Sequence, residues 1–148
     1  MITVLLVRHA DVDVPPPIGN PDPSLNTKGM IRAHELARVA EAAGVSTIFT
    51  SERKRTKETA APLAARLHLA EPPSVVPDVA EFAAGIRAGL YGPVVLVVGH
   101  TDTVPPLIDA LVSAQPSITI KGFDNLFVVS LAAMESQLVW LKYGPPSD

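Results

Sequence analysis

The sequence predicts an α/β fold: a three-layer α/β/α sandwich built on a mostly parallel, mixed sheet. Three observations carry that expectation. Short apolar runs alternate with helical patterns through most of the chain. The two most strand-like runs, residues 2–7 and 93–98, are short, apolar and of the kind that forms buried strands, and each leads into a histidine, in Arg8-His9 and in Gly99-His100. The last two apolar runs, 125–131 and 137–142, follow one another closely, as the arms of a hairpin do. A length of 148 residues with 47% apolar content fits one domain over 1–148 with a sizeable core.

The elements follow in order. The first strand ends at Arg8-His9-Ala10. Residues 11–23 are then rich in proline, which lacks the amide hydrogen that helix interiors and sheet ladders require, so this stretch is a long loop. It is either a passive connector or a wall beside His9. Thr27-Lys28-Gly29-Met30 opens a helix to about Ala43, with Met30, Ala33, Leu36, Ala37 and Ala40 on its apolar side and Gly44 as its stop. His34, inside this helix, is structural or exposed. A second strand covers 46–50. Ser51 is a candidate N-cap for the helix that follows, in which Arg55, Thr59 and Pro62 fall at about one-turn intervals. His68 stands near the end of that helix, where a protonated imidazole suits the dipole. Glu71-Pro72-Pro73 breaks the chain, Val75-Val76 forms a short edge strand, and a helix runs from Asp78 to about Leu90. After the strand ending at His100, residues 101–106 enter a helix with proline in its first turns, continuing to about Val112. The tail from Gly144 frays.

Composition narrows the function. A formal charge of −3 gives no reason to expect nucleic acid as a partner, although basic residues crowd into Arg53-Lys54-Arg55 and Lys57. The absence of cysteine excludes disulfides, thiolate metal sites and cysteine nucleophiles. The first apolar run has no basic leader or cleavage site and is too short to span a bilayer, so the expectation is a cytoplasmic protein with no membrane partner.

In an open α/β sheet, ligands bind at the carboxyl ends of the strands. Arg8-His9, Ser51 with Arg55, and Gly99-His100 are thus expected at one sheet edge. The basic helix start is either a solvated face or an anion site made from arginines and free helical amides. Two arginines and two histidines around one pocket suit a doubly charged oxyanion such as phosphate. Phosphoryl transfer needs an in-line nucleophile and fixed positive donors at the equatorial oxygens. A neutral imidazole can attack phosphorus directly if an acceptor holds its other nitrogen. No metal is needed, and the histidines lack the spacing of a metal site.

These residues resemble the histidine phosphatase superfamily, also called phosphoglycerate mutase-like, and within it the short bacterial Arg-His-Ala type. The opening motif is Arg8-His9-Ala10, followed by a loose match to a Leu-Thr-x-x-Gly helix entry at Leu25-Asn26-Thr27-Lys28-Gly29. A Ser-x-x-x-Arg-x-x-x-Thr-Ala segment is matched by Ser51, Arg55, Thr59 and Ala60, and a Gly-His-Ser-Asn-Thr-Val-Pro-like segment by residues 99–105. The strand from Asp124 to Val129 is also similar. The resemblance covers nearly the whole chain. It implies that His9 is a nucleophile that becomes phosphohistidine, and that Arg8, Arg55 and His100 bind the phosphoryl oxygens. Ser51 would join the phosphate site, and with Thr59 would shape the pocket rather than react. No cofactor is implied.

The sequence departs from the larger family members in two places. The Ser and Asn that they carry after the first motif fall within 12–17 here. Their general-acid glutamate lies on an insertion that this chain lacks, leaving Glu81, Asp102 and Asp11 as rival acids and Glu81 equally readable as an exposed helix residue. The implied activity is a metal-independent phosphatase acting on a small phosphomonoester or a phosphohistidine protein. The alternatives are a phosphoglycerate mutase-type phosphotransferase, disfavoured because a short chain leaves little lid, and a non-catalytic phosphate-binding module.

Overall fold

The computed structural model describes residues 1–69, 78–113 and 117–147. Among these residues, nine elements follow in chain order: β1 (Ile2–Arg8), α1 (Thr27–Ala40), β2 (Thr47–Phe49), α2 (Lys54–Arg66), α3 (Val79–Arg87), β3 (Val94–Gly99), α4 (Val104–Leu111), β4 (Asn125–Leu131) and β5 (Ser136–Lys142). The expected proline break at 71–73 and the edge strand at Val75-Val76 lie outside the described residues.

The strands form one sheet in the order β2-β3-β1-β4-β5. β1 pairs in parallel with β3, and β3 with β2, while β4 is antiparallel to both β1 and β5. Four of the five strands therefore point one way, and β4 alone runs back. Alternation along β1 explains the layers. Val4 and Leu6 pack with Phe82, Ile86, Leu107 and Ile108 of α3 and α4 on one face. Leu5 and Val7 pack with Leu36, Ala37, Ala60 and Leu63 of α1 and α2 on the other. Because both faces are covered, the central strands read as unbroken apolar runs.

Two local expectations are corrected. Met30 is half exposed, whereas Arg32 of the same helix is wholly buried. Arg32 can be buried because its Nε donates to Asp11 Oδ1 at 2.6 Å and its Nη1 donates to the Tyr143 carbonyl at 2.9 Å. The N-cap of α2 is Arg53, not Ser51, and it makes no side-chain capping bond. Ser51 sits two residues earlier, where its Oγ accepts from the Arg53 amide at 3.3 Å. His68 lies beyond the C-cap of α2 with φ 54°, taking the left-handed position usually given to glycine.

Candidate active site

The register of the parallel strands builds the site. Arg8 stands opposite Gly99, so His9 and His100 leave neighbouring strands side by side. The His9 amide donates to the Gly99 carbonyl at 2.8 Å, and the two imidazole centroids are 5.3 Å apart. Glycine at 99 lets the strand and α4 approach closely: a Cβ would come within 2.8 Å of Thr103 Oγ1 and 3.0 Å of Val104 Cγ2, and those side chains would have to give way.

His9 is almost fully buried, and its Nδ1 lies 2.8 Å from the Ala10 carbonyl. A carbonyl only accepts, so Nδ1 carries the hydrogen and Nε2 keeps a lone pair. Burial pushes the His9 pKa down to about 4, and Arg8, His100 and Arg55 add to the shift against the opposing Ala10 hydrogen bond. His9 is therefore a neutral imidazole near neutral pH, with one nitrogen fixed and the other available. Its backbone is pinned from the next element: the Ala10 amide donates to Thr59 Oγ1 at 2.8 Å, and Thr59 Oγ1 donates to the Arg55 carbonyl at 2.6 Å. Thr59 thus ties the start of α2 to the end of β1.

Arg8 Nη1 donates to the Gly122 carbonyl at 3.0 Å, and its guanidinium lies 4.1 Å over the Phe123 ring. Arg8 Nε is buried without a partner among the described residues. His100 Nε2 is 2.8 Å from Ser51 Oγ, which is also 2.8 Å from Thr56 Oγ1. Burial and the Arg55 charge lower the His100 pKa, while Asp102 opposes them. Arg55 lies 3.9 Å from Asp22, the residue on which the proline-rich loop returns to the site. The loop tip itself is exposed.

The sequence model of the histidine phosphatase superfamily (branch 1) matches residues 4–95. The chain belongs to that superfamily. Among solved structures, the protein histidine phosphatase SixA complexed with tungstate superposes with a TM-score of 0.79 at 19% identity, covering 96% of this chain and 97% of that one. A mycobacterial glucosyl-3-phosphoglycerate phosphatase in complex with VO3 superposes with a TM-score of 0.70 at 16% identity, covering 93% and 97%. At such identities the likeness speaks for the fold. No curated protein matches the sequence.

Arg8, His9, Ser51, Arg55 and His100 of this histidine phosphatase superfamily member thus gather at the carboxyl edge of β1, β2 and β3. The rival carboxylates do not stand alike. Asp11 is buried, and its Oδ1 accepts from Arg32 Nε at 2.6 Å. Glu81 is exposed in the first turn of α3, and Asp102 is exposed within electrostatic reach of His100. No group of three His, Asp or Glu among the described residues is placed to hold a metal ion. No helix among them is long and apolar enough to cross a membrane.

Three participants escaped sequence reasoning: Gly122, Phe123 and Asp22. The first two lead into β4, whose reversed direction brings its entry to the site edge. The hairpin pattern implied that reversal, so the loop before β4 could have been placed there. Nothing in the sequence marks Asp22.

Proposed function

We propose that the chain, acting as one domain, is a metal-independent phosphatase that hydrolyses a phosphomonoester or a phosphohistidine through a covalent phosphohistidine on His9. The observation that carries this reading is the fixed tautomer of His9, with Nδ1 bound to the Ala10 carbonyl and Nε2 left to attack. Nε2 forms a bond to phosphorus as the bond to the leaving oxygen or nitrogen breaks. Arg8, Arg55 and His100 hold the three equatorial oxygens, and the unpartnered Arg8 Nε is a donor suited to one of them. Ser51 orients His100 and completes the phosphate pocket. The leaving atom takes a proton from Glu81 or Asp102. Water then attacks phosphorus in line, Nε2 departs as a neutral imidazole, and orthophosphate is released.

SixA, named a protein histidine phosphatase, and the mycobacterial phosphatase, named for a phosphorylated sugar acid, support both substrate classes as candidates. The test is hydrolysis of an activated aryl phosphate in the presence of a chelator, by the wild type and by His9→Ala. Activity that survives the chelator and disappears with His9 is expected. Turnover that persists in His9→Ala contradicts the reading. On unactivated alkyl phosphates, the variant of Glu81 or Asp102 that loses activity selectively identifies the proton donor.

A further inference from the structure

A cavity of about 300 Å³ opens beside His100, between the end of β3 and the starts of α3 and α4. Its walls are the side chains of Val79, Val97, Val104 and Leu107, closed at the site end by Ser51 and His100. The phosphate site and the cavity therefore share two residues, and a molecule whose phosphoryl group sits at His9 and His100 can reach into the cavity with the rest of its body.

The chemistry of the wall selects what that body is. Among the described residues, no Lys, Arg, Asp or Glu lines it. Its hydroxyls are already committed. Thr103 Oγ1 accepts from the His100 amide at 2.9 Å, Thr50 Oγ1 donates to the Ser51 carbonyl at 3.0 Å, and Ser51 Oγ is held by Thr56 and His100. A leaving group rich in hydroxyls or carboxylates would lose its water and find no uncommitted side-chain hydroxyl among these described wall residues. An apolar group loses nothing and covers apolar surface. The volume is at the small end for a ligand site and suits a single ring or a branched alkyl chain.

We propose that this cavity receives the leaving group of the substrate and makes the enzyme selective for small phosphomonoesters with an aryl-sized or branched-alkyl body. This deepens the phosphatase reading and rests on it for the word substrate, but binding tests it without turnover. The experiment compares the affinity of two unhydrolysable probes, benzylphosphonate and methylphosphonate, for wild type, Val79→Phe and Val79→Ala. Val79 is chosen because it is only partly buried and tolerates a change of size better than Leu107. In the wild type, benzylphosphonate should bind about tenfold or more tighter than methylphosphonate. Val79→Phe, which fills the cavity, should bring that ratio near one. Val79→Ala, which enlarges it, should raise the relative affinity of a naphthylmethyl phosphonate. Equal affinities in the wild type, or a ratio unchanged in both variants, would overturn the proposal. In parallel, phosphoramidate, which has no body to place, reports whether His9 is phosphorylated. A binding ratio that holds while His9 stays unmodified would leave the cavity standing and defeat the phosphatase reading instead.

Discussion

His9 and His100 begin from the same local design, an apolar parallel strand that ends in an imidazole, yet the structure gives their rings different partners. The partner of His9 is the Ala10 carbonyl, which can only accept; that of His100 is the Ser51 hydroxyl, which can donate or accept. One ring is locked into a single tautomer, buried and neutral. The other is half-buried, and its hydroxyl partner leaves both of its tautomers open. On the proposed mechanism, the atom behind the ring, rather than the ring or its strand, separates the nucleophile from the binding group.

Several substitutions would break or sharpen that contrast. His9→Ala removes the attacking atom and should lower kcat/KM by about 10⁴-fold or more, measured on an activated aryl phosphate. His100→Ala removes one transition-state donor and should cost about 10²–10³-fold while still allowing His9 to be phosphorylated slowly. Equal losses in the two variants would erase the distinction. Asp11→Ala leaves Arg32 buried without its carboxylate, beside the backbone that carries the Ala10 carbonyl. Unfolding by denaturant should show a loss of about 3–5 kcal/mol. A loss under 1 kcal/mol would mean that the ion pair does not pin that backbone. Ser51→Ala frees the His100 ring and should reduce activity on the order of tenfold.

The smallest effect is in pH. Burial lowers the His9 pKa from 6.5 to about 4. Between those values the unfolded chain binds more protons than the folded one, so stability rises with pH through that window and falls as pH drops from 6.5 towards 4. His9→Ala should flatten this slope. The neutral nucleophile persists down to about pH 4, so the His9-dependent limb of kcat/KM should fall only near there.

The sheet, the helices and the edge at which Arg8, His9, Ser51, Arg55 and His100 meet were legible because they rest on apolar periodicity and on strand ends. What was not legible depends on pairings between distant residues. Arg32 reads as a polar helix position until Asp11 is brought against it, and Met30 reads as core until Arg32 takes the buried side. Ser51 has the right residue type for an N-cap, but the helix begins later and the hydroxyl serves His100 instead. Asp22 reaches Arg55 only because a long loop returns there.

The most direct measurement is to quench the enzyme during turnover of an aryl phosphate and locate the phosphate by peptide mapping and ³¹P NMR. The expected result is an acid-labile phosphate on Nε2 of His9. Phosphate on His100 or on Nδ1 of His9, or steady turnover with no phosphorylated histidine at any quench time, would contradict the assignment of His9 as the fixed-tautomer nucleophile.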